Sequence, residues 1–185
     1  MIPPTLTSNL CSLLPKKNRF TLTAIISLDR QYKVIDLDVK KGVINSNLRL
    51  SYTDAQKIID SGEGDKFPLL QSLTSLSTVL RKNRFKSGGL NIQIPEPEIF
   101  INDKGIPTKI LIKRHLKTHE LVEEFMLLAN KTIADKFTQN IDPLVYRNHG
   151  KPEAERLIAL NSLLGHLGDF KPLNISRQID SLEFQ

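Results

Sequence analysis

The chain has 185 residues, 39% of them hydrophobic and 25% charged, which gives enough apolar material for one globular domain and excludes wholesale disorder. A formal net charge of +6 and a pI near 9.4 favour polyanionic partners, nucleic acid before anionic membrane. The single cysteine, Cys11, allows neither an intramolecular disulfide nor a cysteine-based zinc pattern, so a reduced, cytoplasmic setting is expected.

No apolar run approaches the roughly 20 residues of a membrane helix. Met1-Ile2-Pro3-Pro4 has no basic stretch leading into an apolar core, so no secretory leader is expected there. Local structure signals are sparse up to Pro15. Phe20 to Leu28 reads as a strand, and Asp29-Arg30 turns the chain. Tyr32 to Val39 reads as a second strand, with Asp36 and Asp38 on one face and Ile35, Leu37 and Val39 on the other. Lys41-Gly42 suggests a bulge or turn before a further extended stretch to Tyr52, giving an antiparallel meander. Thr53 or Asp54 can cap a helix that stops before Gly62.

From Phe67 to Phe85 the residues Leu69, Leu70, Leu73, Leu76, Val79 and Leu80 recur at helical spacing. This helix ends in Arg81, Lys82, Arg84 and Lys86 and stops at Gly88-Gly89; cations suit a helix C-terminus. Ile92 to Ile94 is predicted extended. Glu98 to Asn102 and Thr108 to Lys113 form a hairpin about Asp103-Lys104-Gly105. The longest helix is predicted from Leu116 to Phe137. Pro143 to His149 reads as a short strand. Pro152 opens a helix to Leu167 that Gly168 ends, and the tail from Asn174 can form one more. The class is α+β, mixed antiparallel strands with packed helices.

Few patterns carry chemistry. His115 and His119 share a helical face, but the order is H-L-K-T-H and no third metal ligand is evident. Asp36 and Asp38 could hold Mg²⁺, yet with Lys33, Lys40 and Lys41 nearby they read better as a salted surface. Glu123 and Glu124 are adjacent on a helix, about 100° apart, so they do not act as one site, and a solvated face accounts for each. No phosphate-binding glycine loop is present, nor any nucleophile with an identifiable base. The basic groups Lys16-Lys17-Arg19, Arg81 to Lys86 and Lys113-Arg114-Lys117 would make a phosphate track if they converge. Aromatic residues are only 6%, too few for a broad stacking sheet.

Four segments, in order, resemble the catalytic domain of the ribonuclease II / ribonuclease R family. Leu6 to Pro15 (LTSNLCSLLP) is similar to L-S-x-x-L-C-S-L-x-P. Ile44-Asn45-Ser46 through Arg49-Leu50-Ser51-Tyr52 is similar to I-x-S-x-x-R-L-x-Y. Leu121 to Asn130 (LVEEFMLLAN) matches L-[IV]-E-E-F-M-[LI]-x-A-N almost throughout. Tyr146-Arg147-Asn148-His149 with Pro152 is similar to Y-R-x-H-x-x-P. Leu80-Arg81 to Arg84 and Gly89 to Glu96 resemble the family's L-R-x-x-R-x-x-x-G-x-[LI]-x-[LI]-x-x-P-E.

The resemblance implies 3′→5′ degradation of single-stranded RNA with Mg²⁺ held by an aspartate cluster. It implies that Tyr52 lies near the 3′-terminal nucleotides, where its phenol can stack or hydrogen-bond; packing on the next helix is the alternative. It implies that Glu123 faces the terminal nucleotide, where a carboxylate can accept a ribose hydroxyl. Where the family can carry a base-stacking phenylalanine, this chain has Ile92.

The family's aspartate run lies upstream of the L-C-S-L segment and its R-R-Y-x-D-L arginine segment lies downstream of the Y-R-x-H helix. Met1 falls inside what is normally a continuous I-P-M-L-P-x-x-L-S stretch. The expectation is therefore a truncated RNB-type catalytic domain over residues 1–185, an exoribonuclease fragment with RNA-binding residues Tyr52 and Glu123, no catalytic or metal-binding residue of its own, and no activity alone. The alternative is a non-catalytic RNA-binding module, or a subunit that complements a second polypeptide carrying the missing segments.

Overall fold

The computed structural model describes residues 2–91, 94–112, 114–139, 145–146, 152–168 and 173. The chain divides into two compact units, residues 1–80 with 96–144, and residues 81–95 with 145–185. Among the described residues, no helix is long and apolar enough to cross a membrane.

The first unit opens with a single wide π-turn at Leu6–Leu10, closed by the Cys11 N–H on the Leu6 carbonyl at 2.9 Å. Arg19 staples this segment to the sheet. Its Nε donates to the Ser12 carbonyl at 2.9 Å, and its Nη2 donates to Asn9 Oδ1 at 3.0 Å. Strand β1 (Asn18–Leu28) pairs antiparallel with β2 (Val34–Asn45).

The expected meander is thus a two-stranded hairpin. Lys41 and Gly42 do not turn: they pair with Leu22 and Thr21 inside a continuous strand. Gly42 lacks a Cβ, but its amide still completes the ladder, so the residue alone does not force a break.

A second hairpin joins β3 (Pro97–Ile101) to β4 (Pro107–Ile112). The two hairpin turns share one device. Asp29 Oδ1 accepts the N–H groups of Gln31 and Lys33, both at 2.8 Å. Asn102 Oδ1 accepts those of Lys104 at 3.0 Å and Ile106 at 2.9 Å. In each case the side chain replaces backbone acceptors and sets the turn, and the strand register shifts just before it. Each turn needs one left-handed residue. Gly105 (φ 75°) fills that place without strain, whereas Tyr32 (φ 62°) carries a Cβ into it.

Helix α1 (Tyr52–Ser61) is capped at its C-terminus by Gly62 (φ 71°). Helix α2 (Phe67–Lys86) follows, and its hydroxyl row is satisfied locally: Thr74, Ser75, Ser77 and Thr78 each donate to a carbonyl of their own helix. Ser77 is accordingly buried without a polar debt. Helix α3 (Lys117–Gln139) packs on α1 and on the β1–β2 pair. Its Lys136 ammonium donates to the carbonyl of Leu37, the most buried hydrophobic residue of the sheet.

In the second unit, α2 ends in a Schellman motif. Gly89 N–H donates to Arg84 O and Gly88 N–H to Phe85 O, each at 3.0 Å, with Gly88 at φ 92°. A Cβ at Gly89 would stand 3.0 Å from that Arg84 oxygen, so the glycine pair stops the helix as expected. Helix α4 (Ala154–Leu167) starts after Glu153, which places Pro152 ahead of the cap and outside the first turn. Asn161 brackets the buried Leu173 with two bonds to its backbone, each 2.9 Å. The predicted tail helix and Ile92 lie outside the described residues. So does most of the predicted strand at Pro143 to His149, of which Val145 and Tyr146 are described and are not in a strand.

Replacing Tyr32 with glycine removes the Cβ strain of the left-handed turn. The variant is expected to be more stable by about 1 kcal/mol, read as a raised midpoint in urea denaturation at unchanged m-value.

Candidate nucleic-acid interface

Tyr52 is not at a strand end; it is the first residue of α1. The cap is Ser51, not Thr53 or Asp54. Ser51 is extended (φ −74°, ψ 159°), its Oγ accepts the Asp54 N–H at 3.1 Å and donates to Asp54 Oδ2 at 2.6 Å. Ser and Asp three apart thus close a reciprocal cap that fixes where the helix, and Tyr52, begin. The hydrogen bond from Ser51, then the nearby Lys57 ammonium, hold the Asp54 carboxyl below its ordinary value of 3.8.

The N-terminus of α3 grips this first turn of α1. The Thr118 hydroxyl donates to the Tyr52 carbonyl at 3.0 Å, and the Thr118 N–H donates to Gln56 Oε1 at 3.3 Å. That amide belongs to the first turn of α3, where no intrahelical acceptor exists, so Gln56 supplies one. Thr118 is only 3% exposed. The next residue, His119, stacks on the Tyr52 ring with centroids 4.2 Å apart and planes inclined by 24°. Tyr52 is therefore held at its backbone and at its ring by consecutive residues, and stays 45% exposed.

Sequence spacing suggested a helical pair of histidines. The rings of His115 and His119 in fact stack, 5.6 Å between centroids and 27° between planes, so they do not converge on a point. His119 Nδ1 accepts the Leu116 N–H at 3.1 Å, which places the neutral ring's proton on Nε2. His115 Nε2 lies 3.7 Å from Glu120 Oε1. Glu123 follows His119 by one turn on the same helical face and is half-buried. Glu124 departs from expectation: it is 3% exposed, not on a solvated face, because the 100° step between neighbours turns it inward.

Among the basic groups, Arg19, Arg81 and Arg84 are each engaged within their own unit. Arg19 is spent on the Leu6–Leu10 turn. Arg81 and Arg84 both lie 4.9 Å from the Phe85 ring centroid, and Arg81 donates to Asn91 Oδ1 at 3.1 Å, all within the second unit. Arg114 and Lys117 are exposed beside the His115 ring in sequence; Lys113 lies outside the described residues.

The described carboxylates do not fit a resident Mg²⁺. Among the described residues no group of three or more His, Cys, Asp or Glu could hold a metal ion. The Asp38 carboxylate is instead bonded to Lys40 at 2.8 Å, and this bond raises the Lys40 ammonium above its ordinary value.

The sequence matches the RNB domain over residues 1–184. The chain belongs to the RNB domain family. It is 32% identical over 175 residues to ribonuclease R of Aquifex aeolicus, covering 91% of this chain and 25% of that protein. It is 37% identical over 169 residues to the exosome complex exonuclease dis3 of Schizosaccharomyces pombe, covering 89% of this chain and 17% of that protein. The Mycoplasma genitalium RNase R solved in complex with ribose methylated single-stranded RNA superposes with a TM-score of 0.85 at 28% identity, over 97% of this chain and 29% of that one. The chain thus spans about a quarter or less of the length of its curated relatives. The α+β architecture is that of the RNB domain in RNase R.

Ser51→Ala removes both bonds of the α1 cap. Stability is expected to fall by about 1 kcal/mol. The Asp54 titration followed by NMR should move up toward 3.8, since its main stabilising donor is gone. In the parent chain this carboxylate's contribution is present above its ordinary value and is lost as the pH falls through its lowered one.

Proposed function

We propose that this RNB segment holds the 3′-terminal part of a single-stranded RNA for a 3′→5′ exoribonuclease, and that it does not cut by itself. The observation that carries the reading is the half-exposed Tyr52, held at its backbone by Thr118 and at its ring by His119. A ring already fixed in place stacks on a base at little entropic cost, and stacking is tolerant of sequence. Glu123, on the same face of α3 as His119, is assigned to a ribose hydroxyl, a contact that favours RNA over DNA. The net charge of +6 supplies general attraction to the backbone.

In the family resemblance Mg²⁺ supplies the activated water. Its ligands are assigned here to carboxylates other than those described in this chain, because Asp36 and Asp38 form no metal set. The same grip serves whether those carboxylates belong to the same polypeptide or to a second one. A cytoplasmic setting is in keeping with the exposed thiol of Cys11.

Binding of the chain to a short 3′-labelled oligoribonucleotide is expected to weaken steadily with salt. Tyr52→Ala should weaken it further by about tenfold. Glu123→Gln should narrow the preference for RNA over the matching deoxyribonucleotide. With Mg²⁺ present, the pure chain should leave the RNA intact over hours; reproducible 3′→5′ shortening would overturn the reading.

A further inference from the structure

The contacts around His119 give it two separable tasks. Its Nδ1 reaches back to the Leu116 N–H just ahead of α3, the task a glutamate or glutamine performs in a capping box. Its ring face lies 4.2 Å from the Tyr52 ring. The first task fixes the imidazole; the second passes that rigidity to the phenol. Thr118 pins the Tyr52 carbonyl but leaves the side chain free to turn about χ1. The His119 ring against its face restricts that rotation.

We propose that His119 is a positioning residue for RNA: it sets the orientation of the Tyr52 ring so that the opposite ring face is presented to a terminal base. Capping of α3 is the means, and the pre-set Tyr52 ring is the result. The inference rests on the reading of Tyr52 as an RNA contact and adds the residue through which that contact is made selective for one ring orientation.

Two substitutions separate the tasks. His119→Gln keeps an acceptor for the Leu116 N–H and loses the ring; His119→Phe keeps a ring and loses the acceptor. Each variant of the 185-residue chain is titrated against an oligoribonucleotide carrying 2-aminopurine at its 3′ end, and its folding is followed by circular dichroism. The expected result is that His119→Gln melts as the parent does but loses about tenfold in affinity and most of the fluorescence change on binding. His119→Phe should melt earlier yet bind within about twofold of the parent below its transition.

In a Tyr52→Ala background His119→Gln should have no further effect on binding, since the ring it positions is gone. Without RNA, the Tyr52 ring protons should lose their ring-current shift in His119→Gln and keep one in His119→Phe. Parent-like binding by His119→Gln, equal losses in both variants, or an additive double variant would overturn the inference and leave the Tyr52 assignment standing. Unaltered binding by Tyr52→Ala, or no RNA binding by the parent, would overturn the reading of Tyr52 and the inference with it.

Discussion

One buried hydroxyl, that of Thr118, ties the start of α1 to the start of α3, and the candidate interface is arranged around that tie. A hydroxyl at such depth must find a partner, because burying it unpaired costs on the order of 1–3 kcal/mol. The Tyr52 carbonyl is the partner. Satisfying Thr118 therefore dictates where α1 begins in space, and the amide of the same residue repeats the constraint through Gln56. Farther along, Lys136 of the same helix reaches the Leu37 carbonyl of β2. Helix α3 thus registers both α1 and the sheet against itself.

Much of this was legible in the sequence where the signal is local. The strand beginning near Phe20, the helices over Phe67–Lys86 and Lys117–Gln139, and the stop at Gly88-Gly89 all follow from periodicity and from residues with special backbone freedom. What was not legible depends on partners distant in the chain. The continuity of β2 through Lys41-Gly42 is decided by Leu22 and Thr21 across the ladder. Ser51 is the cap in place of Thr53 or Asp54, and the Tyr52 carbonyl that follows it is held by a residue 66 positions away. His115 stands ahead of α3, so the helical face that its spacing from His119 suggested does not form, and the two rings stack instead. Arg19 looked like a phosphate contact because a basic run has the same composition whether it meets RNA or backbone carbonyls.

The family assignment and the side-chain chemistry meet at an asymmetry. The Thr118–Tyr52 contact is part-buried, whereas on β2 Asp36 is exposed and Asp38 is paired with Lys40. An ammonium at 2.8 Å from a carboxylate competes directly with a cation for the same oxygens. Of the two aspartates on the strand face that first suggested metal chemistry, Asp38 is held in a surface ion pair.

The stacked ring has a spectroscopic consequence. The chain contains no tryptophan and only three tyrosines, so its ultraviolet emission is tyrosine emission alone. One of the three emitters, Tyr52, lies against an imidazole and is 45% exposed. Whatever settles on that exposed ring changes the emission of a third of the chromophores. The molecule carries its own dye at the proposed RNA contact, and occupancy there can be followed without attaching anything to protein or RNA.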